Sequence, residues 1–122
     1  MLVDSTIFPT IAVSDITKAK EFYGMKLGLK EADEHPQGVT YQCGTGKLFI
    51  YQSPTAGTSQ STCAAWNVDD VANAVKELTK HGIKFQKYEM PNVEVHGYVY
   101  ALGTQQAAWF KDPDGNILSI AS

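Results

Sequence analysis

The sequence predicts an α+β fold made of two βαβββ modules, about residues 1–54 and 62–122, forming one domain. Three observations carry this reading. Two stretches show an apolar stripe at helical spacing, while the rest of the chain breaks into short apolar or alternating runs. The motif Val13-x-Asp15-Ile16-x-x-Ala19 returns 55 residues later as Val68-x-Asp70-Val71-x-x-Ala74, and Gly28-Leu29-Lys30 returns 54 residues later as Gly82-Ile83-Lys84. Between the copies, residues 53–61 are rich in Ser, Thr, Gly and Pro and read as a linker.

Taken in order, residues 7–13 are apolar and β-branched, with Pro9 marking an edge or bulge because it cannot donate to a ladder. Ser14-Asp15 are good helix N-cap types. The stripe Ile16, Ala19, Phe22, Tyr23 and Leu27 predicts a helix that Gly28 stops. Residues 30–35, 39–43 and 47–52 read as strands, separated by Pro36-Gln37-Gly38 and Gly44-Thr45-Gly46. In the second copy, residues 63–68 read as a strand. Val71, Ala74, Val75 and Leu78 form the stripe of a helix that starts after Asp69-Asp70 and stops at Gly82. Residues 84–89, 107–111 and 117–120 read as strands, and Asp112-Pro113-Asp114-Gly115 as a tight turn. Aligning Gly46 with Gly115 gives a longer offset of 69, so about 14 additional residues fall around 91–103, as a loop or hairpin.

Composition narrows the function classes. With 10 Lys+Arg against 13 Asp+Glu, the chain lacks the concentrated positive footprint of a nucleic-acid binder. No apolar run approaches the length of a membrane span. Met1-Leu2-Val3-Asp4 does not open a signal peptide, so a cytoplasmic protein is expected. Cys43 and Cys63 then read as reduced thiols that pack as small apolar residues.

Phe8-Pro9-Thr10-Ile11-Ala12-Val13-Ser14-Asp15, Ala19-Lys20-Glu21-Phe22-Tyr23 and Leu27-Gly28-Leu29 resemble the opening of the vicinal oxygen chelate superfamily. That superfamily holds glyoxalase I, fosfomycin- and bleomycin-resistance proteins and extradiol dioxygenases. Ala108-Trp109-Phe110-Lys111-Asp112-Pro113-Asp114-Gly115-Asn116 resembles its closing strand-turn-strand. The resemblance implies two modules whose mixed sheet curls around a cleft, and a homodimer. In the metal enzymes it implies ligands on the first and last strands of each module, holding a Lewis-acid metal.

On that resemblance the first-strand slot lies five residues before the motif Val, at Phe8 and Cys63. The last-strand slot lies four after the turn Gly, at Ile50 and Ser119. Phe and Ile have no donor atom, and neutral Ser is a poor ligand, so no metal and no cofactor is expected. The cleft floor becomes apolar, suited to a small organic ligand, with Phe8, Ile50, Cys63, Trp66, Tyr98, Tyr100 and Ser119 as candidate contacts. Strict alternation of Phe49 and Tyr51 with Leu48 and Ile50 also predicts that both faces of that strand meet apolar surface. The alternative is a glyoxalase-like lyase or isomerase, or a dioxygenase-related enzyme. Its catalytic candidates are Glu94 and His96, two apart and therefore on one face of an extended segment. A third reading is a protein-interaction module.

Overall fold

A computed structural model describes residues 1–122. The chain divides into two compact units, Met1–Ala56 and Gly57–Ser122. Each is α+β with its own mixed sheet.

In the first unit, a short 3-10 turn at Leu2–Asp4 precedes β1 (Thr10–Val13). The strand starts later than residue 7. Pro9 offers no N–H, although its carbonyl still accepts a hydrogen bond from Phe49 N–H (3.0 Å). The helix α1 (Ile16–Ala19) is capped by Asp15, whose carboxylate accepts from Lys18 N–H. It then widens into a π-helical segment, Lys20–Lys26, closed by an i→i+5 bond from Leu27 N–H to the Phe22 carbonyl (2.9 Å). Gly28, at φ +73°, ends it as the sequence predicts.

The strands β2 (Lys30–His35), β3 (Gly38–Cys43) and β4 (Gly46–Gln52) follow, and the sheet order is β1-β4-β3-β2. β1 runs parallel to β4, and the other pairs are antiparallel. One face carries Ile11, Val13, Val39, Tyr41, Leu48 and Ile50, all buried. The helix packs on this face, with the Tyr23 ring 6.4 Å from that of Tyr41. Burying such side chains contributes about 1.5–3 kcal/mol each, which is why the face is continuous.

The second unit repeats this plan with an addition. β5 (Thr62–Asn67) leads into α2 (Val71–Lys80), capped by Asp70 through Asn73 N–H and followed by Gly82 at φ +91°. Then come β6 (Phe85–Gln86), β7 (Glu94–His96), β8 (Val99–Leu102), β9 (Gln105–Lys111) and β10 (Ile117–Ala121). The order is β5-β10-β9-β8-β7, with β6 also paired to β9.

The unit therefore holds six strands where βαβββ predicts four. The place that β2 fills beside β3 is shared here by β6, opposite Trp109 and Phe110, and β8, opposite residues 105–107. The inserted residues form the β7–β8 hairpin, and β6 is confined to two residues of the predicted 84–89 run. Val71, Ile83, Phe85, Ala108, Phe110, Leu118 and Ile120 are buried in this unit. Phe110 lies against Phe85 at 5.5 Å and Trp66 at 6.2 Å.

Candidate functional site

The face of each sheet opposite the buried aliphatic layer carries the candidate chemistry. In the first unit the pairing Thr10↔Phe49↔Thr40 and Ala12↔Tyr51↔Gly38 puts these residues on one face. Phe49 and Tyr51 are half-buried and stacked, with centroids 6.0 Å apart and planes 10° from parallel. The His35 ring meets Phe49 edge-on at 5.9 Å, and its Nε2 lies 3.5 Å from the Thr40 hydroxyl. In the second unit, Ala65↔Ser119↔Trp109 share the corresponding face. Trp109 is half-buried and donates from Nε1 to the Thr62 hydroxyl (3.1 Å). Tyr100 and Tyr88 meet it edge-on at 5.3 and 5.9 Å.

The register corrects one predicted position. Thr10 pairs with Phe49 in the first unit, and Ala65, its counterpart 55 residues on, pairs with Ser119 in the second. The residue equivalent to Ser119 is therefore Phe49. Ile50, 1% exposed, points into the helix-packed layer and cannot line the open face. A slip of one residue turns a strand side chain to the opposite face.

Phe8 lies before β1, half exposed, beside an open hollow of about 330 Å³ that Leu2 and Ile7 also line. Cys63 is the extra residue where the β5–β10 register shifts between Thr62 and Ala64. Its thiol donates to the Ile117 carbonyl (3.3 Å), and burial followed by the Asp112 charge pushes its pKa up. A thiol held neutral is a poor nucleophile. Ser119 is buried, 6% exposed, and the hydroxyl of Tyr88 is buried with no hydrogen-bond partner.

The other candidates separate. Trp66 lies on the Phe110 side of its strand, not with Trp109. Tyr100 is 1% exposed, and its hydroxyl is fully engaged, accepting from Tyr88 N–H and donating to the Tyr88 carbonyl; it is a brace and not a free contact. Tyr98 packs near Phe85 with Lys87 Nζ 5.3 Å from its ring centre. Glu94 and His96 do meet, Oε1 to Nε2 at 2.9 Å, on β7. Both side chains are nearly three-quarters exposed, so no apolar wall surrounds the pair to desolvate a reacting group.

The alternation of Phe49 and Tyr51 with Leu48 and Ile50 marks this face in the sequence. Nothing local marks Thr62 as the Trp109 partner or Tyr88 as its neighbour, because those contacts join distant segments.

The family's metal position can be tested against this donor set. Phe8 and Phe49 supply no ligand atom, Ser119 a neutral hydroxyl and Cys63 a neutral thiol. No group of three or more His, Cys, Asp or Glu side chains is placed to hold a metal ion. These residues do not fit a Lewis-acid metal centre.

Two repeated α+β units, each with a parallel β1–β4-type pair and an aromatic open face, define a protein of the glyoxalase-like fold. The chain belongs to the Glyoxalase/Bleomycin resistance protein/Dioxygenase superfamily, whose family model matches residues 6–120. Among solved structures it is similar to a glyoxalase family protein from Enterococcus faecalis (19% identity, 100% of each chain covered, TM-score 0.72). It is also similar to a bleomycin resistance determinant encoded on the transposon Tn5 (21% identity, 97% of each chain, TM-score 0.74). A third is lactoylglutathione lyase from Agrobacterium tumefaciens (17% identity, 97% of this chain and 92% of that one, TM-score 0.69). No curated protein matches the sequence. At these identities the likeness speaks to the fold, and one fold hosts several chemistries. No helix is long and apolar enough to cross a membrane.

Proposed function

We propose that this chain is a metal-free member of the superfamily that binds a small organic ligand, aromatic or amphipathic, in an apolar cleft and acts by sequestration. The observation that carries the reading is the content of the open sheet faces. Phe49, stacked on Tyr51, and Ser119, paired with Trp109, occupy two of the positions that the resemblance assigns to ionic donors in the family's metal enzymes. Apolar aromatic surface with few polar groups is what holds a flat organic molecule, by stacking and one or two hydrogen bonds. Sequestration asks for no acid, base or nucleophile, which agrees with the solvent-bathed Glu94–His96 pair.

The protein is proposed to work in the cytoplasm with Cys43 and Cys63 as free thiols, and as a homodimer. The exposed apolar segment supports the dimer: Leu2, Val3 and Ile7 each leave more than four-fifths of their surface open, more than an isolated chain ordinarily tolerates in one stretch. A small molecule, and neither nucleic acid nor membrane, is the proposed partner, consistent with the formal charge of −3.

The test is a tryptophan-fluorescence and calorimetric titration with a panel of planar aromatic compounds in buffer containing EDTA. At least one compound should bind saturably, and Phe49→Ala should weaken it about tenfold, the loss of one aromatic contact. A panel without a binder, or binding that appears only on adding Zn²⁺, Ni²⁺ or Mn²⁺, goes against the reading. Sedimentation of a monomer at micromolar concentration goes against the dimer.

A further inference from the structure

The π-helical segment creates a second feature in the first unit, on the face of the sheet away from Phe49 and Tyr51. Between this helix and β2 runs an open groove of about 540 Å³ with Tyr41 at its floor. Tyr41 is 2% exposed, and its hydroxyl has no hydrogen-bond partner within the chain. The oxygen is not sealed from solvent, as the buried Tyr88 hydroxyl is, and so opens to the groove. The residue above it is Gly24, in the π-helical turn. A Cβ there would lie 3.5 Å from the Tyr41 hydroxyl, so glycine leaves that oxygen uncovered where any side chain would lid it.

Carboxylates outnumber the single cation around the opening. Glu31 is directly opposite Tyr41 across the β2–β3 ladder, and Glu21 lines the helix wall. The positive group of the lining, Lys20, is ion-paired with Glu34. Burial, followed by the charge of Glu31, raises the Tyr41 pKa, so the phenol stays neutral. Met25, 74% exposed, and Leu29 give the rim an apolar part.

We propose that this groove is a ligand site separate from the aromatic faces and that it takes a primary organic ammonium with a small apolar body. The ammonium N–H groups donate to the Tyr41 oxygen and to the Glu31 carboxylate. The hydrocarbon covers Met25 and Leu29. An anion is repelled by Glu21 and Glu31, and a neutral alcohol forgoes the charge-assisted bond, which is roughly twice as strong as a neutral one.

The probe is benzylammonium, titrated into ¹⁵N-labelled protein and followed by amide shifts, with benzyl alcohol and benzoate as comparisons. Saturable shifts are expected at Gly24, Met25 and Glu31, with benzyl alcohol weaker by about fivefold or more and benzoate inert. Glu31→Gln, which keeps the shape, should lower benzylammonium affinity by about fivefold or more, and Gly24→Val should abolish it. If Gly24→Val fails to fold, the Glu31→Gln comparison decides. The proposal is overturned if benzylammonium produces no saturable shift, if benzoate binds equally well, or if the shifts fall on Phe49, Tyr51 and Trp109. That last pattern would report on the aromatic faces alone, so the two sites can fail independently.

Discussion

Gly38→Ala is expected to lower stability by about 3 kcal/mol or more, with a fall in Tm of roughly 10 °C. Gly38 opens β3 and pairs with Tyr51 in β4. An added Cβ would lie 1.9 Å from the Ile50 carbonyl oxygen and 2.9 Å from the Tyr51 Cα. Both are backbone atoms of β4, which β1 holds on its other edge, so neither can swing away as a side-chain tip would. The strand must separate from β4 at the point where Tyr51 presents its ring, and the stack with Phe49 loses its support. Gly44→Ala is the fitting comparison. Gly44 lies in the two-residue turn of the same hairpin at φ +55° with nothing within 4 Å, so its cost is only that of a left-handed non-glycine residue, about 1 kcal/mol. Thermal unfolding of both variants checks this. Equal, small losses would mean that the ladder relaxes more easily than its geometry implies.

Asp112→Ala should cost about 3 kcal/mol in urea denaturation. Asp112 is 5% exposed and organises the β9–β10 turn by itself. Oδ1 accepts from the Asp114 and Asn116 N–H groups, both at 2.9 Å, and Oδ2 accepts from the Asn116 side-chain amide at 2.8 Å. Alanine removes one acceptor from two backbone donors and one from a buried amide. Asp112→Asn should cost less, because one oxygen still serves the backbone while the amide meets Asn116 as a second donor. Gly57, φ +73°, packs close against this turn, where a Cβ would lie 1.9 Å from the Asp114 carbonyl oxygen. The consequence reaches the site, because this turn sets the register that places Ser119 beside Trp109. A loss below about 1 kcal/mol in Asp112→Ala would show that water replaces the carboxylate at little cost.

That same turn explains what could be read from the residues and what could not. Caps, stops and turns were legible because they are local. Asp15 and Asp70 cap their helices, Gly28 and Gly82 take positive φ, and Asp112 to Gly115 turn the chain. The repeat was legible in outline for the same reason. Register was not, because it depends on loop length. The β3–β4 connection has two residues between the paired Cys43 and Gly46, whereas the β9–β10 connection has five between Lys111 and Ile117. Matching Gly46 to Gly115 therefore displaced the strand by one residue and put Ile50 where Phe49 belongs. The alternation of Leu48 and Ile50 against Phe49 and Tyr51 held the correct answer, and the burial pattern follows it. The π-helical turn left no periodic signature, since Ala19, Phe22 and Tyr23 are buried just as an ordinary helical stripe would bury them. The doubled β6 and β8 at one strand position, and the Tyr100 brace on Tyr88, join segments distant in sequence and have no local mark.

A superfamily scaffold that works without a metal centre is the reading these residues support. Its decisive measurement is elemental analysis of protein purified without chelator, incubated with Zn²⁺, Ni²⁺, Mn²⁺ and Fe²⁺ in turn, and desalted. A Cys63 thiol held neutral, a Ser119 hydroxyl and two phenyl rings should retain far less than about 0.1 equivalent of any of them. Retention of about one equivalent per chain, or per two chains, that is lost in a Cys63→Ala or His96→Ala variant would contradict it.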